Sequence, residues 1–362
     1  MLKIFKDTKI FVLCPAGIVT GGPESLHALV WKLRYYGHDA KMVFYPEMKD
    51  PSPKQFSHYR VRWTGEIRDE KENILIVPEI KTKELDKYFS IQKVVWWLSV
   101  DYHYTQNVTF TFDELRNRGV VHLAQSKYAE AFLKNHGAEY INSLTAPINK
   151  EFFKKGKEYK REDIVLYSPV KGFEYIQRLM KASPSLFWVP IENMERREII
   201  GLMRRSKVYV DFGHFPGRDR IPREAVLNGL CIIVGDSGAG AFHQDVPVPD
   251  GYRFPTADFQ PKQIVMRIRD CLKNYDTRVA DFEQYRRIVL TEQDVFTVQC
   301  KRIFGGKVNR IKNFIGLLSG AFPMKYRIKE TFKQLKQRIL SLLPDMAVAF
   351  LVKLKKHCLF SR

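Results

Sequence analysis

Short apolar runs separated by amphipathic helical stretches recur in two series along the chain, and this alternation restricts the fold more than any other feature. In the first series KIFVLC (Lys9 to Cys14), KMVFY, ILIVPEI (from Ile74), VVWWLSV (from Val94) and VVHLAQS (from Val120) read as strands. Between them, Pro23 to Tyr36 places Leu26, Leu29, Val30 and Leu33 on one helical face closed by Gly37, and Lys127 to His136 forms a helix closed by Gly137. The second series, IVLYSP (from Ile164), LFWVP (from Leu186), VYVDFG (from Val208) and CIIVGD (from Cys231), alternates with helical patterns at Phe173 to Met180, Met194 to Ser206 and Pro222 to Asn228. Strands alternating with helices build a parallel, doubly wound sheet. The chain therefore reads as α/β, with two tandem Rossmann-like domains over 1–153 and 162–300. A basic linker, Lys154 to Arg161, joins them, and a basic helical C-terminal tail, 301–362, follows.

Composition supports two cores, since 45% of 362 residues are hydrophobic. The five cysteines are odd in number, widely spaced and without a CxxC pair, which argues against a disulfide framework or a zinc site and fits a reducing cytoplasm. No signal-like N-terminal core or membrane-length apolar run is present, and the Asn-Val-Thr sequon at Asn107 reads as chance in a cytoplasmic chain. The net charge of +20 is concentrated: Lys301 to Arg362 holds fifteen Lys or Arg against two acids, leaving about +7 for the rest. There Met324, Ile328, Phe332, Leu335, Ile339 and Leu342 recur every three or four residues among lysines and arginines. Such a basic amphipathic helix suits an anionic membrane surface, which places the chain peripherally on the inner face of a membrane. Packing of the stripe on the protein itself is the plainer reading. Nucleic acid is the competing partner, but phosphate binding does not require a sustained apolar stripe, and no nucleic-acid motif accompanies it.

In doubly wound sheets, ligands bind beyond the carboxyl ends of the strands, so the loops there carry the functional candidates. Gly21 and Gly22 precede the first helix, where backbone N–H groups and the helix N-terminus suit a phosphate, or where a tight turn needs glycine. Asp101 and His103 follow VVWWLSV beside Tyr102 and Tyr104 and offer acid–base groups, or simply a packed loop. Lys171-Gly172 ends the first strand of the second series, where the lysine is either a phosphate ligand or a solvated side chain. The stretch GRDRIPREAVLNG then crowds Arg218, Arg220, Arg223 and Glu224 at the mouth of an apolar helix.

The segment YVDFGHFPGRDRIPREAVLNGLCIIVGDSGAG, taken with the Gly21-Gly22 loop and Lys171-Gly172, resembles the nucleotide-sugar segment of GT-B glycosyltransferases, in particular the family four enzymes that build bacterial polysaccharides and glycolipids. The resemblance spans residues 9–300. It implies a hexosyltransferase-type enzyme moving a sugar from a nucleoside diphosphate donor to a glycan or lipid-linked hydroxyl acceptor, in cell-surface polysaccharide synthesis and with retention. Glu224 matches the glutamate that holds the donor ribose, while Gly21, Gly22 and Lys171 fall where the family meets the diphosphate. Two departures stand out: the slot of the family's first glutamate is Pro216, and its usual arginine before the KG pair is missing. Arg218, Arg220 or Arg223 then neutralises the pyrophosphate, because a guanidinium fork pairs two phosphate oxygens. Asp211 or Asp219 is left to take over the sugar contact. No Asp-x-Asp motif occurs, in keeping with a metal-free fold and no cofactor beyond the donor substrate. Retention lets the departing phosphate deprotonate the acceptor, whereas inversion needs a base, Asp101 or His103. Tyr102, Tyr104, His214 and Phe215 are the expected pocket lining. A sugar-nucleotide epimerase of the same fold, and a basic nucleic-acid- or membrane-binding protein on an inactive scaffold, are the alternative functions.

Overall fold

The computed structural model describes residues 2–105, 110–154, 156 and 159–305. Asn107 and the tail stripe read beyond Gly305 lie outside them. The first series gives β1 (Lys9–Pro15), α1 (Gly21–Tyr35), β2 (Asp39–Tyr45), β3 (Ile74–Pro78), β4 (Gln92–Trp97), α2 (Phe112–Asn117), β5 (Val121–Ala124), α3 (Lys127–Asn135) and β6 (Ile141–Ser143). The second gives β7 (Glu162–Tyr167), α4 (Phe173–Ala182), β8 (Phe187–Pro190), α5 (Arg196–Arg205), β9 (Ser206–Asp211), α6 (Arg220–Leu227), β10 (Cys231–Gly235) and β11 (Arg253–Phe254). Three helices follow: α7 (Pro261–Lys273), α8 (Tyr275–Arg278) and α9 (Glu283–Phe304).

Two sheets result, ordered β2-β1-β3-β4-β5-β6 and β11-β10-β9-β7-β8, with every described strand pair parallel. The short edge strands β6 and β11 escape sequence reading because two or three residues carry no period. Helices cover both faces of a parallel sheet, so the central strands are apolar throughout, as in the fully buried ILIVP of β3 and CIIVG of β10. Each sheet has its own core, one around Trp97, Leu75 and Leu133, the other around Tyr209, Ile232 and Phe282. The segment expected to be a linker ends firmly: Arg161 donates to the carbonyls of Met203, Ser206 and Asn228 at 3.0, 2.6 and 2.7 Å.

The two lobes meet directly at the strand ends. Val100 N donates to Pro216 O at 2.9 Å, and Gly217 lies so close to the first lobe that a Cβ there would sit 2.1 Å from Leu98 O. Asp245 of the second lobe caps α3 of the first, accepting from the Lys127 and Tyr128 amides at 2.8 Å each. Helix α9 starts on the second lobe and ends on the first, with Gln299 accepting from Thr145 N at 2.8 Å and Lys32 donating to Thr297 at 2.9 Å. Its last turn, ending at the buried Phe304, belongs to the segment read as the tail.

Midway along α9, the buried Glu292 carboxylate pairs with Arg218 at 2.9 Å and Arg223 at 2.8 Å. Removing one member of a buried ionic group leaves the others uncompensated in low dielectric, at a cost of about 3–5 kcal/mol. Glu292→Gln is therefore expected to lower the unfolding free energy obtained from urea denaturation by an amount in that range. A midpoint unchanged within error would show that the arginines find other partners.

Candidate functional site

A cavity of about 1170 Å³ opens between the carboxyl ends of the two sheets. The first lobe contributes the loop into α1, the segment Lys54–His58, and Leu98, Ser99 and Tyr102 after β4. The second contributes Lys171 after β7, the loop after β8, and Pro216, Arg218–Ile221 and Glu224. Of the residues singled out by sequence, Gly21, Gly22, Lys171, Arg218, Arg220 and Glu224 reach this wall, and Asp101, His103 and Arg223 do not.

Glu224 is the fifth residue of α6, two beyond Pro222, where the apolar helix behind it (Ala225 and Val226, both fully buried) fixes its direction. It is only 8% exposed, and among the described residues none hydrogen-bonds its carboxylate. Burial pushes its pKa up to about 7, against the pull of Arg220 and Arg223 and with a further push from Glu24. A buried acceptor facing a cavity without a partner is suited to ligand hydroxyl groups.

The three arginines of the loop separate. The Arg223 side chain is wholly buried, and its donors go to Glu292, Ala146 O, Arg218 O and Asp219 O at 2.8–3.0 Å. Its expected role on a diphosphate is thus corrected to a structural one. Arg218 contributes to the wall, yet its guanidinium turns to Glu292, to Asp245 O at 3.2 Å and to Thr145 at 3.4 Å. Arg220 reaches across the cleft to the start of α1, donating to Glu24 at 2.5 Å, to Gly21 O at 2.9 Å and to Ser25 Oγ at 3.1 Å. Lys171 pairs with Asp219. Its neighbour Gly172 has φ +65°, and a Cβ there would sit 2.7 Å from Gly213 N, so that glycine serves backbone packing.

The expected bases are also relocated. His103 is fully buried, with its ring nitrogens 2.9 Å from Glu79 O and 2.7 Å from Phe110 O, and burial holds its pKa below the ordinary value. It braces the loop after β4 and is out of reach of a substrate in the cavity. Asp101 lies outside the cavity wall, where both carboxylate oxygens are engaged at 2.8 Å, one by Tyr128 OH and the other by His214 Nε2. His214 in turn meets Ser237 Oγ at 2.8 Å. Of the four residues expected to line the pocket, Tyr102 does, whereas Phe215 is fully buried and Tyr104 and His214 are exposed away from the wall. Asp211 is buried, accepting from Tyr209 OH at 2.7 Å and Gly213 N at 2.9 Å, which leaves Asp219 as the acid on the wall. Pro216 occupies the missing glutamate's slot and spends it on the lobe contact described above.

Several site residues carry no sequence signal of their own. Glu24, in the first turn of α1, looks like an ordinary helix-start acid, yet it is 3% exposed and gathers Arg220, Arg196, Asn149 and Tyr59. Glu79, also buried, accepts from Leu98 N and Ser99 N at 3.0 Å each and so shapes the cavity floor. Among the described residues no group of three or more His, Cys, Asp or Glu is placed to hold a metal ion, and no helix is long and apolar enough to cross a membrane.

The raised pKa of Glu224 has a stability consequence. In the unfolded chain the carboxyl titrates near its ordinary 4.5, and in the folded one near 7, so its contribution is fully present below the unfolded value and lost as pH rises through 7. Glu224→Gln, which cannot ionise, is expected to melt with the wild type at pH 4 and above it at pH 8. A difference that does not change with pH would contradict the buried, unpaired placement.

No protein-family model matches the chain, and no curated protein matches it either. Solved structures do. A glycosyltransferase from Rickettsia africae ESF-5 superposes with a TM-score of 0.59 at 13% identity, covering 83% of this chain and 98% of that one. A sucrose-phosphate synthase from Thermosynechococcus elongatus gives 0.58 at 12% identity, over 82% and 98% of the two chains. T4 phage BGT, solved with its UDP-glucose substrate, gives 0.50 at 11% identity, over 81% and 99%. At such identities the similarity is one of fold, and the fold of this chain is that two-lobed α/β architecture, GT-B.

Proposed function

We propose that the chain is a glycosyltransferase that moves a sugar from a nucleoside diphosphate sugar to a hydroxyl group of a glycan or lipid-linked acceptor. The observation that carries this reading is the unpartnered, buried Glu224 carboxylate facing a cavity whose wall also holds Arg220, Arg196 and Lys171. A nucleoside diphosphate needs both kinds of group, an acceptor for ribose hydroxyls and fixed cations for phosphate. Three solved proteins of the same fold are named as a glycosyltransferase, a synthase of sucrose phosphate and an enzyme taking UDP-glucose, which adds support. Departure of the diphosphate builds negative charge, and preorganised cations on the cavity wall stabilise it where it develops.

Retention at the anomeric carbon is part of the proposal. It needs no separate protein base, and the placement of Asp101 and His103 away from the wall favours it. The reading includes no metal and no cofactor. A role in cell-surface polysaccharide synthesis, and attachment to the inner membrane face through 301–362, complete it on the sequence argument of the basic stripe.

Thermal-shift and calorimetric titration of UDP, GDP, ADP and CDP against wild type and Glu224→Ala provide the test. One diphosphate is expected to raise the melting temperature as its concentration passes the dissociation constant, with at least a tenfold loss of affinity, about 1.4 kcal/mol, in the variant. Binding by none of them would remove the support for a donor site.

A further inference from the structure

Of the cations that the second lobe places on the cavity wall, Lys171, Arg196, Arg218 and Arg220 are already matched by acids, whereas Arg197 has no ion pair among the described residues. Lys171 meets Asp219, while Arg220 and Arg196 both meet Glu24 Oε2, at 2.5 and 3.2 Å. Arg220 lies over the glycine loop itself, for a Cβ on Gly21 would come within 3.0 Å of its Nε and 3.2 Å of its Cδ. The start of α1, which sequence suggests as a phosphate seat, is therefore covered by a guanidinium held down by Glu24 and by Gly21 O. Burial alone would raise the Glu24 carboxyl, but Arg220, the Asn149 amide and Arg196 together hold it below the ordinary value, so it stands there as an anion.

Glu24 is also held from its other side. Asn149 Nδ2 and Tyr59 OH both donate to Oε1, the oxygen that the arginines do not use. If both guanidinium groups turned away, the carboxylate would keep two donors and would not be stranded in the cleft.

From this geometry we infer that Glu24 is the internal counter-ion that a phosphate ligand must displace, and that it thereby sets how much negative charge a ligand needs to bind. The inference rests on the donor-site reading above. In the exchange, Arg220 and Arg196 pass from Glu24 Oε2 to phosphate oxygens, and Glu24 stays on Asn149 and Tyr59. No covalent bond changes. A ligand with two phosphate groups competes with one carboxylate for two guanidinium forks, whereas a monophosphate does so poorly. Glu24 is in these terms a specificity-determining residue, selecting diphosphate over monophosphate.

The experiment is calorimetric titration of wild type and Glu24→Gln with a nucleoside diphosphate, with the matching monophosphate, and with inorganic pyrophosphate and phosphate. Glutamine keeps the size of the side chain and removes its charge. The expected result is tighter binding of all four by the variant, with the monophosphate gaining most, so that the preference for two phosphates narrows about tenfold. Weaker diphosphate binding with an unchanged preference would overturn the inference, because Glu24 would then only hold the arginines in place. If neither protein binds any nucleoside diphosphate, the donor site itself fails, and the pyrophosphate and phosphate titrations still decide the role of Glu24. Should Glu24→Gln not fold, Tyr59→Phe reports with the opposite sign. It removes one of the donors that steady the displaced carboxylate, so diphosphate and pyrophosphate should bind more weakly, and unchanged binding there would count against the exchange.

Discussion

One buried carboxylate governs where the charges of the cleft can go. Glu292, on the helix that crosses from the second lobe to the first, lies between Arg218 and Arg223 and compensates both. Ions placed in so poor a solvent are tolerated only when paired, so the loop that carries these arginines is pinned to α9. That loop also meets Val100, Leu98 and Gln125 of the first lobe through Pro216, Gly217 and Arg218. The cavity wall formed by Pro216 and Arg218–Ile221 is thus held from behind and from the side, and Arg220, within it, reaches across the cleft to Glu24 and Ser25 of α1.

The floor of the cavity is held by a comparable device. Glu79 accepts the two amides after β4, and burial pushes its carboxyl up to about 7 even so. His103 packs beneath the same loop against Trp97. Acids buried for different purposes thus surround the site: Glu292 and Glu79 to hold backbone and arginines, Glu24 to balance the cleft, and Glu224 to face what enters it. A single residue type serves four ends because burial, partner and direction differ at each position, and none of these is a property of the residue alone.

Much of the fold was legible in the sequence. The strands KIFVLC, ILIVPEI, VYVDFG and CIIVGD lie within a residue or two of their expected places, since apolar runs and amphipathic faces record local geometry. Gly21, Gly22, Lys171, Arg220 and Glu224 were identifiable as cavity residues because loops after parallel strands gather at one end of the sheet. His103 and Arg223 were not separable from them. Each sits in a suitable loop or helix, and each points into the protein to partners that the sequence cannot place.

The amino-acid sequence by itself determined that this chain forms two parallel sheets layered with helices and that their loops meet a charged ligand-sized space, because hydrophobic period and chain order act over a few residues at a time. Only the tertiary structure decided which charges are free to use that space. Arg223 is matched by an acid 69 residues away and Arg220 by one 196 residues away. The strength of an ion pair depends on distance in space and on exclusion of water, and neither exists until the lobes have packed.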